Sequence, residues 1–231
     1  MSTLPVDVDT SGPHNVDDAV PYLPAYDCQT ETNSNVGAED LRFGRHDSIS
    51  ILAAGVTVTY FVDLDTFKSD IDSEFVAASF QEAVRQWGPI PLTFKRVWSS
   101  KAAFFRVIAS DVDFRRSYAR AFFPDYPQHS RLLVIYPLAL KHKYAMVNIL
   151  SHELGHIMGI RHSFAGERER DPSVLFGFHN PYSVMRYTDP LNLQVHWLDI
   201  DLLIAFYRYA YDHPEGYGGF PIQFIVPPGN S

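Results

Sequence analysis

The chain has 231 residues, 46% hydrophobic and 14% aromatic, which suits one domain with a real core and short appendages. Its formal net charge of -8 argues against nucleic acid or an anionic membrane as the main partner. The single cysteine, Cys28, excludes an intrachain disulfide, which fits a reducing compartment or an exported protein without bridges.

Residues 1–45 are rich in Asp, Pro, Asn, Ser and Thr without a sustained period, and read as an extended or partly disordered leader. Neither a basic n-region nor an apolar h-region is visible there, so no conventional signal peptide is expected. One folded domain is expected over 46–212, followed by a Gly- and Pro-bearing tail over 213–231 that wraps the surface. No apolar run approaches the length of a transmembrane segment.

Order is expected to begin at "ISILAAGVTVTYFVDL". Val56, Val58 and Tyr60 alternate there with Thr57, Thr59 and Phe61, the pattern of an internal strand with two fairly apolar faces. Phe67, Ile71, Phe75, Val76, Phe80, Val84 and Trp87 then recur at helical spacing. They predict an amphipathic helix of about 15 to 20 residues, acidic at its start and stopped by Gly88-Pro89. "PLTFKRVW" and "AFFRVIASD" read as two short strands with a turn at Ser99-Ser100. "RLLVIYPLAL" reads as another, ended or kinked by Pro137. "YAMVNILSHELGHIMGI" is helical by pattern, with Ala145, Ile149, His152 and His156 on one stripe. "WLDIDLLIAFYRYAY" is the last helix, and its charged start suits an N-terminus.

His152 and His156 stand four apart, so a helix projects both from one face, one turn apart, within reach of one zinc ion. In H-E-x-x-H the glutamate, here Glu153, takes the general-base role. Gly159 lets the helix end in a left-handed turn, and the returning chain delivers His162 as a third nitrogen ligand. A fourth position is left for water, which zinc acidifies. H-E-x-x-H alone arises by chance in roughly 3% of chains this long; adding Gly159 and His162 lowers that to about 1 in 10,000. A structural zinc site would want four protein ligands. The catalytic reading is therefore preferred over idle histidines and over a structural site.

"HELGHIMGIRH" resembles the long zinc-binding signature of the metzincin clan of metallopeptidases. The resemblance implies an α+β zincin-like fold: a twisted mixed sheet, two long helices, a C-terminal helix, and a cleft between two lobes. "YSVMRY" resembles the clan's methionine turn, with Met185 as a shape-filling floor under the zinc. Its form is similar to that of serralysins and astacins, which implies that Tyr187 lies by the zinc; packing beside Met185 is the alternative for that ring. "FVAASFQEAVRQWGPIPLTFKRV", "GIRHSF" and "DIDLLIAFYRY" look more like matrix metallopeptidases. The likeness spans roughly 52–210.

What it implies is a zinc endopeptidase with Glu153 and Tyr187 as catalytic residues, His152, His156 and His162 as metal ligands, and one catalytic Zn2+. The substrate is then a peptide or protein, laid along an edge strand for which 131–136 is the expected choice. A zinc-retaining binding module without turnover is the alternative. His129 and His142 offer no matching series for the matrixins' structural zinc, and calcium is not indicated. The clan is mostly exported, which is the sole pointer to secretion. "GERERD", lying between His162 and Met185, is expected to shape one wall of the primed side. Glu167 and Asp171 in it are expected to be solvated charges. His179, His196 and His213 lack partners at readable spacing, and Cys28 does not match the matrixin propeptide motif.

Overall fold

The structure is a computed structural model and describes residues 41–113, 117–169 and 171–230. Most of the expected leader, Cys28 included, lies outside the described residues. Residues 41–45 are described: strand β1 (Arg42–Phe43) lies among them, with Leu41 and Phe43 fully buried.

Strand β2 (Ile49–Leu52) is followed by β3 (Thr57–Val62), in which Val58, Tyr60 and Val62 are buried and the residues between them half-exposed. That is the period-2 alternation of a sheet with one face on a core. Helix α1 (Asp70–Gln86) starts where the Ser69 hydroxyl accepts from the Asp72 amide, with Asp70 and Asp72 in its first turn against the helix dipole. Its buried stripe includes Val76, Ala77, Phe80 and Ala83, and Gly88 (φ +63°) closes it. Strands β4 (Thr93–Arg96), β5 (Phe105–Ala109), β6 (Ala119–Arg120) and β7 (Leu132–Ile135) complete the central sheet. Pro137 then serves as the first residue of α2 (Pro137–Lys141), where its missing N–H is not needed.

Helix α3 (Met146–Ile157) packs along α1. The Trp87 indole at the end of α1 donates to the Ser151 carbonyl (2.9 Å) and the Ser151 hydroxyl donates to Gln86 (2.9 Å), pinning one helix to the other. The short α4 (Ala165–Arg168), β8 (Val174–Leu175), α5 (Trp197–Asp212) and β9 (Ile222–Ile225) follow. His196 caps α5 in a capping box with Asp199, a use its sequence spacing did not reveal.

The five-stranded sheet runs β4-β3-β5-β7-β6, all parallel except β6, which lies antiparallel to β7 with Ala119 opposite Ile135 and Arg120 opposite Val134. The expected edge strand is thus corrected. Strand β7, within 131–136, is internal, and β6 is the border. A two-residue strand carries too few alternations to be read as a strand, so its longer neighbour stood in for it. Tyr60, Phe80, Phe94, Phe105 and Phe122 interlock between the sheet and α1 at ring separations of 4.8 to 5.9 Å.

Two small pairings join distant parts of the chain: β1 with β8, antiparallel, and β2 with β9, parallel. Over the first, Phe43 stacks on Phe206 of α5 (3.8 Å, 14°). The second corrects the tail, which contributes an ordered strand with Ile222 buried rather than only a surface wrap. The architecture is mixed α+β. No helix among the described residues is long and apolar enough to cross a membrane.

Candidate metal centre

Helix α3 brings His152 and His156 to one face, and both are fully buried. The helix then stops at Gly159, whose φ of +99° is open to glycine and strained for other residues. A β-carbon there would sit 2.5 Å from the Ser50 carbonyl oxygen of β2, so the close approach of two backbones also demands glycine. The reversed chain returns His162, also fully buried, to the other two. The turn expected at Gly159 is present.

His152 Nε2 and His156 Nε2 each lie 3.2 Å from His162 Nε2. The opposite ring nitrogens are all engaged: His152 Nδ1 with the Val184 carbonyl (2.7 Å), His156 Nδ1 with the Ile160 carbonyl (2.9 Å), and His162 Nδ1 with Glu169 Oε1 (2.7 Å). Carbonyls and a carboxylate accept only, so each Nδ1 donates its proton outward and each Nε2 points inward. Neutral rings held this way converge three lone pairs, an arrangement that suits a cation. Around zinc at about 2.0–2.1 Å, tetrahedral donors stand about 3.3 Å apart. The three histidines fit such an ion, and they form the one metal-competent His, Cys, Asp and Glu group among the described residues.

Met185 is fully buried against α3. Gly155 on that helix leaves room for the thioether: a β-carbon at Gly155 would fall 2.3 Å from Met185 Sδ. The turn holding Met185 hangs from Asp199 of α5, a buried carboxylate that accepts from the Val184 amide (2.9 Å), Asn180 Nδ2 (2.9 Å) and the His196 amide (3.1 Å). Burial raises the Asp199 pKa, while hydrogen bonds from Val184, His196, Ser183 and Asn180 oppose the rise. Val184 offers its amide to Asp199 and its carbonyl to His152, so a single residue links α5 to His152.

Aromatic rings frame the group. Phe123 meets His156 edge-on (5.4 Å, 71°), Phe164 stacks on His162 (4.9 Å, 14°), and Tyr187 packs against His162 (4.8 Å, 68°) and Phe164. Glu153 lies buried on α3 between the two helical ligands in sequence.

Sequence reasoning missed Glu169. "GERERD" was expected to be a solvated wall, yet the Glu169 side chain is 2% exposed and bound to His162 and Arg161. Asp171 is half-buried beside Arg45 (3.5 Å) and His46 (3.5 Å). A buried acid inside a run of alternating charges has no signature in spacing.

No protein-family model matches the sequence, and no curated protein matches it. Among solved structures, that of myroilysin aligns at 12% identity over 72% of this chain and 98% of its own, with a TM-score of 0.52. Metalloproteinase-II from Bacteroides fragilis aligns at 12% identity over 75% of this chain and 59% of its own, with a TM-score of 0.39. At such identity the myroilysin likeness speaks to fold alone. The chain shares the overall fold of myroilysin and carries a buried His152, His156 and His162 group able to hold a metal ion.

Proposed function

We propose that this protein is a zinc-dependent endopeptidase. The observation that carries the reading is the convergence of three buried Nε2 atoms, those of His152 and His156 each 3.2 Å from that of His162, with each ring fixed from behind. When bound, zinc supplies Lewis-acid polarisation of a carbonyl and acidifies water in its open position. Imidazole donors suit zinc among other divalent metals, and three of them leave that position free.

The remaining work falls to the chain. Glu153 is the general base: it takes the proton from water and passes it to the leaving amine. Tyr187, packed against the third histidine, hydrogen-bonds the developing oxyanion. Met185 fills the floor and keeps the ligands from sinking. A peptide substrate lies antiparallel along the outer side of β6, whose one strand neighbour in the sheet is β7. Phe123, Phe164 and Tyr187 supply low-dielectric surface around the reacting carbonyl.

The test is hydrolysis of a mixed quenched-fluorescent peptide library by zinc-loaded protein, beside Glu153→Ala. General-base catalysis contributes about 100- to 10,000-fold, so the variant should lose at least about 100-fold in rate while binding one zinc per chain. Full hydrolysis by Glu153→Ala would refute the base. Silence from both proteins, each with one zinc bound, would favour a binding module without turnover.

A further inference from the structure

We propose that Glu169 is the positioning residue of the third metal ligand, a buried carboxylate that fixes the His162 ring and its tautomer and lends it anionic character. The inference rests on the zinc reading above.

The three ligands are not held alike. His152 and His156 face backbone carbonyls through Nδ1, whereas His162 faces a carboxylate oxygen at 2.7 Å. A hydrogen bond to an ionised acceptor is shorter and about twice as strong as one to a neutral group. It also draws the Nδ1 proton away from the ring and so makes Nε2 the better donor to a metal. His162 is thus set apart as the strongest electron donor of the three.

Glu169 is itself held at two points. Its other oxygen accepts from Arg161 Nη2 at 2.5 Å, with both side chains 2% exposed. Arg161 Nη1 in turn donates to the carbonyls of Gly44 (2.8 Å), Asp171 (3.1 Å) and Pro172 (3.1 Å). The Arg161 amide donates to the Arg42 carbonyl (2.9 Å), and Arg42 Nε donates to the Ser163 carbonyl (3.2 Å). The carboxylate therefore sits between two donors, an imidazole N–H and a guanidinium, on a loop stitched to β1. Neither oxygen is spare. Arg161 also neutralises the charge that Glu169 brings, which allows a second carboxylate into a site already holding Glu153.

This geometry makes Glu169→Gln a sharp probe. A glutamine of the same shape has one acceptor and one amide NH2, and must face one of two donors with its own N–H. If the amide faces His162, the imidazole is driven to the tautomer that carries its proton on Nε2 and loses the lone pair a metal needs. If it faces Arg161, Nη2 loses its acceptor and the buried guanidinium its counter-charge.

The experiment measures zinc affinity of the full chain by competition with a chromophoric chelator. It compares the parent, Glu169→Gln, and the double variant Arg161→Met with Glu169→Leu, which removes the guanidinium and leaves His162 Nδ1 without its acceptor. Loss of such a partner weakens metal binding about 10- to 100-fold, and that loss is expected in both variants. A role confined to the Arg161–Glu169 pair would instead let the double variant recover the affinity of the parent, and that recovery would overturn the proposal. Nitrogen-15 histidine NMR of the zinc-loaded parent needs no variant. The His162 Nδ1 proton should resonate furthest downfield of the three ligands, and coincidence with His152 and His156 would overturn the proposal as well. A parent that binds no zinc would sink the peptidase reading itself. A parent that binds zinc and cleaves peptides, with variants binding equally well, would sink this inference alone.

Discussion

Replacing Gly159 by alanine tests the joint between helix α3 and the third ligand. The residue sits at φ +99°, and a left-handed conformation costs a residue with a β-carbon about 1–2 kcal/mol. The added carbon would also lie 2.5 Å from the Ser50 carbonyl oxygen and 3.2 Å from Ile51 Cγ2. Ser50 cannot simply rotate away, because the atom is backbone and its strand is paired with β9. Overpacking of this kind costs about 1–3 kcal/mol. The stiffer unfolded chain returns about 0.4–1 kcal/mol. The net is a loss of about 1–5 kcal/mol, centred near 3. At about 2–4 °C per kcal/mol for a chain of this size, the unfolding temperature should fall by about 2–18 °C, centred near 8. Calorimetry of the metal-free protein reads the shift. Gly55→Ala is the internal control: φ there is +80°, with nothing within 4 Å of the new carbon, so it carries the backbone term alone, near 1 kcal/mol net. Equal shifts for the two variants would refute the argument that the contact with β2 is what reserves position 159 for glycine.

Gly155→Ala should drive its new methyl into Met185. The loss of about 1–3 kcal/mol is offset by about 1 kcal/mol of helix propensity, and Met185→Ala in the same chain should recover part of it. Strict additivity in that double-mutant cycle would show that the two residues do not meet. At alkaline pH, burial holds the Tyr118 pKa up at about 12 and raises that of Tyr207 as well. Both are neutral when folded. The stability they contribute is complete below the ordinary tyrosine value near ~10; that of Tyr118 is lost as the pH rises through about 12, and that of Tyr207 higher still. Tyrosinate absorbance should therefore show these two rings ionising in step with loss of circular dichroism. Ionisation near pH ~10 with the fold intact would refute their burial.

Helices α1, α3 and α5 were legible because each repeats its apolar contacts over three or more turns, and repetition is what periodicity detects. Gly159 was legible for a different reason: a helix that must deliver His162 back to His152 needs a reversal, and glycine marks it. The elements that escaped are short or held from afar. Strand β1 has two residues, β6 has two, and β9 pairs with a segment at the other end of the domain, so none carries enough local pattern to announce itself. The edge of the sheet was accordingly put one strand too far inward, on 131–136. Glu169 escaped because its importance comes from His162 and Arg161 closing over it. In sequence it is one charge among several in "GERERD".

The parallel pairing of β2 with β9 has a consequence for the chain as it is being made. Ser50 meets Gln223 across 173 positions of sequence. At about 5–20 residues per second, a ribosome adds those residues over roughly ten to thirty-five seconds. Throughout that interval Ile49, Ile51 and Leu52, all fully buried at the end, wait without the strand that covers them. An apolar edge left open for that long is an invitation to another strand, from a neighbouring nascent chain or a chaperone. Strand β9 closes the edge that β2 leaves open, so completion of this pairing waits on synthesis of residues 222–225.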